Sequence, residues 1–301
     1  MDNYLVAMAV FAGLYALLAL GLNVVWGMTG MINLGLVGFF GLGAYASALL
    51  TRQTGAPIVL GLAAAAIAAA AAGAAMALTT ARLRGDYLAI ITLGFSEVVR
   101  LVASNELWLT NGTDGISGIP GPWRGRVAPQ TFNAIYLVIV GLAVLAVLAL
   151  CQRIGHSPYG RVLRAIRDDD QVAAVAGKRV MAFKVEAFAV SAAILGLAGA
   201  LWGHYTSFIA PEVFTPLVTI YIVLALTAGG TGNNVGAVLG AALVIFLMEA
   251  TRFATGWVGG LKPVQIAALR EALIGAALLV VLRVRPRGLL PERLAAAGGR
   301  R

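Results

Sequence analysis

The chain has 301 residues, of which 60% are hydrophobic and only 12% are charged, and its formal net charge at pH 7 is +9. Soluble domains carry roughly a quarter charged residues, so this composition excludes an ordinary soluble domain. Apolar runs recur along the chain that are long enough to cross a membrane as helices, which takes about 20 residues each. Because apolar and polar residues do not alternate in these runs, they predict transmembrane helices rather than transmembrane strands.

The fold class predicted from these runs is an all-α polytopic membrane protein with about nine transmembrane helices, within a range of 8–10. Residues 1–290 are interpreted as a single transmembrane domain, and residues 291–301 as a cytoplasmic tail. The first run begins at Tyr4 after Asp2 rather than after a basic leader, so it is interpreted as a retained span. The spans are predicted at 4–26, 31–51, 56–80, 86–105, 132–152, 180–204, 213–230, 234–252 and 264–283.

Basic residues predict the orientation of the chain, because they collect in loops that stay in the cytoplasm. Seven of the 22 Lys and Arg residues lie in a polar stretch at 153–184, which we call the charged segment, and six more lie at 283–301. Both clusters are therefore expected in the cytoplasm and the loop at 106–131 outside. With an odd number of spans, the N terminus is expected outside and the C terminus in the cytoplasm. This topology explains the net charge without a nucleic-acid partner.

Two short glycine-rich sequences close the first and the seventh predicted spans. The first glycine turn is Gly27-Met-Thr-Gly30, and the second glycine turn is Gly229-Gly-Thr-Gly232. Internal repeats with broken helices are common in transporters, where the breaks often line a pathway. Two short glycine-rich turns can also match by chance, and small residues within spans also serve helix packing. Both interpretations stay open at the level of sequence.

Residues that could carry catalysis or bind a metal are few. His156, His204 and Cys151 show no metal-ligand spacing with a third partner, so neither a metal site nor an enzyme is predicted. The only Gly-Lys pair is Gly177-Lys178, and the residues around it do not form a phosphate-binding loop. The chain is therefore expected to bind no cofactor itself. If it transports actively, its energy comes from another subunit or from an ion gradient.

One ion pair is predicted inside a span. Glu97 and Arg100 lie in the span at 86–105, three residues apart on one helical face, so they can pair. Ionisable groups at this depth are costly and often functional. The two side chains could neutralise each other and hold the helix bundle together, or they could relay protons or substrate. The turn-rich loop at 105–126 similarly suits either a docking site for an external partner or a structural lid.

The charged segment itself predicts a cytoplasmic helix. Ser157 is a plausible N-cap, Pro158 suits the first helical position, and Gly177 is a suitable stop. A mixed-charge helix with one apolar stripe is a better surface for docking a protein than for lying on anionic lipid. The predicted stripe comprises Val162, Ala165, Ile166 and Ala173, with Arg161, Arg164 and Arg167 largely off it.

These residues resemble the LivM-type permeases, the membrane subunits of ABC importers for branched-chain amino acids. The resemblance runs nearly end to end and rests on four stretches. They are Gly160-Arg161-x-x-Arg164-Ala165-Ile166-Arg167-Asp168-Asp169 with Ala173-Ala174, Gly177, Lys184, Ala187-Phe188, Ser191-Ala192 and Gly196-x-Ala198-Gly199-Ala200; Leu83-Arg84-Gly85-Asp86-Tyr87-Leu88-Ala89-Ile90-x-Thr92-Leu93-Gly94-Phe95; Thr110-Asn111-Gly112-Thr113-Asp114-Gly115-Ile116; and Arg285-Pro286-Arg287-Gly288-Leu289-Leu290.

The resemblance implies a permease of the bacterial inner membrane that passes leucine, isoleucine and valine by alternating access. The implied partners are two ABC ATPase subunits, which hold ATP-Mg, a second LivH-type permease, a periplasmic binding protein and membrane lipid. A coupling helix at about 158–177 is implied to sit in a cleft of the ATPase. Its implied residues are Gly160, Arg161, Arg164, Ala165, Ile166, Arg167, Asp168, Asp169, Ala173 and Gly177.

The expected translocation path follows the glycine-rich breaks and the second signature stretch. Two departures from the family pattern occur, at Asp168-Asp169-Asp170 and at Gly30-Met-Ile-Asn-Leu-Gly35. The second departure weakens the inference of a leucine-type substrate but not the family resemblance. A urea or short-amide permease of the same family is therefore an alternative. An ion-coupled carrier and a non-transporting membrane scaffold are more distant ones. The candidate path residues are Asn33, Gly35, Gly38, Thr92, Gly94, Glu97, Gly229, Gly230 and Gly232.

Overall fold

The structure is a computed structural model that describes residues 2–80, 82–83, 85–255, 263–285 and 288–292. Within these residues the chain is almost entirely helical, which confirms the predicted fold class. The helices are α1 Asp2–Leu22, α2 Leu36–Thr54, α3 Ile58–Thr80, α4 Gly85–Asn105, α5 Leu107–Thr110, α6 Pro129–His156, α7 Pro158–Asp168, α8 Asp170–Val175, α9 Val180–Thr206, α10 Pro216–Gly229, α11 Asn234–Thr255 and α12 Pro263–Val284.

The membrane helices agree closely with the predicted spans. Among the described residues, seven helices are long and apolar enough to cross a membrane, namely α1, α3, α4, α6, α9, α10 and α11. The predicted spans at 31–51 and 264–283 fall on α2 and α12, of 19 and 22 residues. Helix α2 begins at Leu36 instead of residue 31, because the chain from Gly30 to Gly35 is irregular.

Helix α1 is the centre of the bundle. It packs against α6, α9, α10 and α11, and its second half is buried almost without interruption from Leu14 to Leu22. It continues as a π-helical turn from Asn23 to Gly27, which places the first glycine turn at its end. A helix that is apolar on every side is suited to this central place.

Small residues bring helices α3 and α9 together. Gly61, Ala65, Ala69, Gly73 and Ala77 recur every four residues and form the buried face of α3. A Cβ on Gly73 would lie 2.5 Å from the Ala192 side chain of α9, so the approach requires a glycine. Close backbone approach through small residues is a main source of helix association in lipid. The alanine-rich run is therefore a packing surface.

The described strands form one very short pair. Strand β1, Ile116–Ser117, lies in the loop between α5 and α6, and strand β2, Phe208–Ile209, follows α9. They are antiparallel, with Ile116 opposite Ile209. The pair ties this loop to the end of α9.

Candidate coupling and translocation site

The charged segment enters helix α7 as the sequence predicts. The Ser157 hydroxyl accepts a hydrogen bond from the Gly160 amide at 3.2 Å, and Pro158 is the first helical residue. A Cβ on Gly160 would lie 2.2 Å from the Ile154 carbonyl oxygen, so glycine is needed where α7 folds back on the end of α6. The predicted N-cap and first residue are confirmed.

The buried face of α7 differs from the predicted stripe. Gly160, Leu163 and Ile166 are its buried residues, whereas Ala165 is exposed and Val162 is half-buried. The predicted stripe was therefore wrong at Val162 and Ala165. The buried residues repeat every three positions, which suits a short helix that packs along one narrow strip against α6 and α9.

Tyr159 adds a ring contact between α7 and α9. Its ring centroid lies 5.3 Å from that of Phe183. Burial, the larger cause, and the neighbouring Glu186 carboxylate together raise the pKa of Tyr159 to about 12. The phenol is therefore neutral at physiological pH and serves as an anchor for α7.

The charged segment forms two helices, α7 and α8, rather than the single coupling helix predicted at about 158–177. Asp169 adopts an extended conformation between α7 and α8, with φ −159° and ψ 112°. Its carboxylate accepts hydrogen bonds from the Gln171 and Val172 amides at 2.8 and 3.1 Å, which caps α8. The side chain thus replaces the backbone hydrogen bonds that a continuous helix would supply. The predicted stop is confirmed, because Gly177 has φ +79° just after α8.

Arg167 joins α7 to both glycine turns of the membrane bundle. Its guanidinium donates to the carbonyl oxygen of Gly27, where the first glycine turn begins. It also forms an ion pair with the Glu292 carboxylate at 2.9 Å. Its aliphatic stem packs on Gly30, where an added Cβ would lie 3.0 Å from the Arg167 Cγ. The two other arginines of α7 differ, since Arg164 donates to the Gly155 carbonyl at 3.0 Å and Arg161 is exposed.

The two glycine turns meet in the structure. A Cβ on Gly27 would lie 2.7 Å from the Gly232 nitrogen, so the two backbones are in direct contact. Asn23 bridges them further, since its amide nitrogen donates to the Asn234 Oδ1 at 2.8 Å and its Oδ1 accepts from the Gly232 amide at 2.9 Å. Arg167 bonds to Gly27, and a Cβ on Gly232 would lie 3.3 Å from the Arg167 Nη1, so the charged segment and both turns form one cluster.

The second glycine turn also binds the described end of the chain. The Leu289 and Leu290 amides donate to the carbonyls of Ala228 and Gly229 at 2.8 and 2.9 Å. This short backbone pairing carries Glu292 to Arg167. The tail predicted at 291–301 lies outside the described residues beyond Glu292.

The candidate path residues separate into three places. Asn33, Gly35, Gly38 and Thr92 come together where the irregular chain before α2 crosses α4: the Leu34 amide donates to the Thr92 hydroxyl at 3.1 Å, and a Cβ on Gly35 would lie 2.0 Å from the Thr92 carbonyl oxygen. Gly229, Gly230 and Gly232 belong to the cluster around Arg167. Gly94 and Glu97 lie away from the buried face of α4, with Gly94 exposed and Glu97 half-buried.

Asn33 is the most unusual residue of the first place. It is fully buried, and its Oδ1 accepts from the Gly35 amide at 2.9 Å. Its side-chain nitrogen has no hydrogen-bond partner among the described residues. Buried polar groups are nearly always paired, so this donor is a candidate for contact with a passing polar group.

The predicted ion pair on α4 is confirmed. The Arg100 Nε donates to both carboxylate oxygens of Glu97 at 3.1 and 3.0 Å, and its Nη2 also contacts Glu97 Oε1. The pair is partly exposed, with 39% of the Glu97 side chain and 28% of the Arg100 side chain accessible.

A cavity of about 460 Å³ adjoins the Arg167 cluster. It lies between the end of α6, helix α7 and the second glycine turn. The described lining combines Gln152, His156, Arg161, Arg164, Asn234 and Glu292 with smaller residues.

Sequence reasoning missed three residues of this cluster: Asn23, Asn234 and Glu292. Asn23 carries a signal that could have found it, because it is a polar residue inside an apolar span. Asn234 follows the second glycine turn directly, next to the residues already singled out. Glu292 has no such signal, because only the fold brings it to Arg167.

Comparison with known proteins identifies the family. Residues 4–282 match the family described as "Branched-chain amino acid transport system / permease component". The chain belongs to this family. The permease is 33% identical to the high-affinity branched-chain amino acid transport system permease protein LivM of Escherichia coli K12, over 95% of this chain and 70% of that protein. No solved structure matches the permease significantly.

Two further relatives show how the similarity is distributed. The probable branched-chain amino acid transport permease protein LivM of Methanocaldococcus jannaschii is 31% identical, over 93% of this chain and 91% of that protein. The LivH permease protein of the Escherichia coli system is 27% identical, over 92% of this chain and 91% of that protein. The permease is thus similar to both kinds of subunit, and more to LivM.

The loop after α4 is held together by its own hydrogen bonds. The Thr110 hydroxyl donates to the Ala103 and Glu106 carbonyls, and the Asn111 side chain donates to the Gly115 carbonyl at 3.0 Å. A cavity of about 230 Å³ opens between this loop and the end of α2. His204 contacts Ser47 through one ring nitrogen and the Pro120 carbonyl through the other, at 2.8 and 2.6 Å. This histidine therefore fastens the loop to the bundle.

Proposed function

We propose that the permease is the membrane subunit of an ATP-driven importer that passes leucine, isoleucine and valine across the bacterial inner membrane by alternating access. The observation that carries the proposal is Arg167, which joins the coupling helices to Gly27 and, through Glu292, to the segment paired with Gly229. A movement of α7 would be transmitted to both glycine turns. Those turns belong to α1 and α10, the helices whose displacement would open or close a path.

Two ABC ATPase subunits are the proposed source of that movement, and ATP-Mg binds to them rather than to this chain. Helix α8 supports such docking, because it exposes Val172 and Val175, with accessible fractions of 65% and 91%. Two exposed apolar residues three positions apart match the anchors of a helix that lies in a groove of its partner. Arg161 and Asp168 of α7 are also exposed and supply charges of both signs.

The remaining partners follow from the same assembly. A LivH-type permease completes the membrane part, and a periplasmic binding protein delivers substrate at the outer loop and its 230 Å³ cavity. In this orientation the N terminus is periplasmic and the C terminus is cytoplasmic, which keeps the charged segment on the ATPase side.

The proposed path runs beside the irregular chain at residues 30–35. Breaks in transmembrane helices expose backbone groups that can bind a substrate near the membrane centre. The unpaired side-chain nitrogen of Asn33 suits a substrate carboxylate, because it is a buried donor without a partner among the described residues. Weak contacts suffice here, since the binding protein selects the substrate.

Uptake of radiolabelled leucine tests the proposal in a strain that lacks its own branched-chain transporters and expresses the permease with its operon partners. We expect uptake that isoleucine and valine compete for, that urea does not, and that stops on ATP depletion but not with an uncoupler. Uptake that stops with the uncoupler alone would indicate an ion-coupled carrier. Competition by urea or short amides alone would replace the proposed substrate.

A further inference from the structure

Helix α4 carries the Glu97–Arg100 ion pair beside a face that no other described helix of the bundle covers. Its inner face, with Leu88, Ala89, Thr92 and Ser96, is buried against the bundle. The opposite face exposes a stripe at helical spacing, and Glu97 borders it. The exposed residues of this stripe are Tyr87, Ile90, Gly94, Val98, Leu101 and Asn105.

The ion pair on this face is unsuited to contact with lipid. Glu97 lies ~18 Å along the ~31 Å length of α4, near the middle of the membrane. Ionisable side chains at this depth almost always face protein or a water-filled cavity. A cation near the end of a span can instead extend to the interface, but the Arg100 guanidinium is turned back toward Glu97, one helical turn deeper.

The exposed glycine Gly94 indicates that a protein helix, rather than water, covers this face of α4. It is exposed, and an added Cβ would meet no atom within 4 Å, so nothing in the described part of the chain requires a glycine there. Small residues on open helix faces in lipid allow a second helix to approach closely. The apolar residues around Gly94 would supply the remaining packing surface.

We infer that this face of α4, which we call the α4 face, binds the second permease chain of the importer. The inference rests on the proposed function, which supplies a homologous LivH-type subunit as the occupant. Contact with that subunit would cover the Glu97–Arg100 pair, and Gly94 would admit its nearest helix. The exposed face of α6 differs in kind, because Val138, Leu142 and Leu145 are each 61% accessible and no charged residue lies between Pro129 and Gln152. That face suits lipid.

Site-specific photocrosslinking in the assembled importer tests this assignment. The photoreactive residue p-benzoylphenylalanine replaces Leu101 on the α4 face or, as the matched control, Leu142 on α6. After irradiation in membranes, we expect an adduct with a different, homologous permease from position 101 and loss of that adduct at position 142. Mass spectrometry of the adduct identifies the partner. Lipid adducts alone at position 101, an adduct between two copies of this chain, or equal adducts at both positions would overturn the inference.

A pair of tryptophan substitutions provides the second measurement. Gly94→Trp and Gly141→Trp both place a large ring where an added Cβ meets no described atom, so both chains are expected to fold. Gly94→Trp should lose the second permease on affinity purification, and Gly141→Trp should retain it. Retention by both variants would contradict the α4 face. Leucine uptake by the unsubstituted importer is measured in parallel, because its absence would reject the proposed function instead.

Discussion

At the scale of single residues, the two contacts of Arg167 can be separated by substitution. Arg167→Ala removes both the bond to the Gly27 carbonyl and the ion pair, whereas Glu292→Gln removes only the ion pair. Loss of a hydrogen bond from a charged donor costs about 1.5–3 kcal/mol, so we expect Arg167→Ala to lower ATP-driven leucine uptake ~10-fold or more. A partly exposed ion pair contributes about 0–1 kcal/mol, so Glu292→Gln should lower uptake less than ~5-fold.

The control for this comparison is Arg153→Ala, which removes an exposed basic residue of the charged segment at the end of α6. It should leave uptake close to that of the unsubstituted importer. The ATPase subunits should still co-purify with the Arg167→Ala chain, since the exposed residues of α8 are unchanged. Equal uptake by the Arg167→Ala and Arg153→Ala chains would show that Arg167 does not transmit movement.

At the scale of elements, the break at Asp169 sets the angle between α7 and α8. Replacing an N-cap aspartate by alanine costs about 1 kcal/mol, whereas asparagine caps about as well. We therefore expect Asp169→Ala to weaken ATPase binding about fivefold and Asp169→Asn to preserve it, measured by titrating purified ATPase onto the permease in nanodiscs. If Asp169→Asn weakened binding as strongly as Asp169→Ala, the charge of Asp169 rather than its cap would be the cause.

The same element shows how far local sequence signals reach. Ser157, Pro158 and Gly177 were predictable because a cap, a first turn and a stop depend on a few neighbouring residues. The buried strip at Leu163 was not, because the apolar residues of α7 allow more than one stripe and packing against α6 and α9 selects one. The break between α7 and α8 was also missed, although aspartate is a good N-cap residue. Three consecutive acids are equally typical of the exposed face of one continuous helix.

At the scale of the whole molecule, the meeting of the two glycine turns is the feature furthest from the sequence. Gly27 and Gly232 are separated by most of the chain, and each turn has the same local signal whether or not they touch. The membrane helices were predictable individually, since each span depends on its own apolar composition. Their contacts depend on packing between small residues, for which one sequence offers many equivalent partners. The role of the candidate path residues stays a prediction for the same reason.

Alternating access makes a prediction about these turns. The side chains of Asn23 and Asn234 lie in contact, 2.8 Å apart between Nδ2 and Oδ1, and join α1 to α11. If α1 moves relative to the second glycine turn, which leads from α10 into α11, a covalent link between Asn23→Cys and Asn234→Cys should hold the importer in one state. In a chain whose only cysteine, Cys151, is replaced by alanine, a short bis-methanethiosulfonate linker should abolish leucine uptake. A reductant should restore uptake, because it cleaves the link and leaves the fold unchanged.

Each single-cysteine chain treated in the same way should keep its uptake. Full uptake by the linked protein would mean that the two turns move as one body, and the opening would then have to lie elsewhere, with the contact between the irregular chain at 30–35 and α4 as the next place to test.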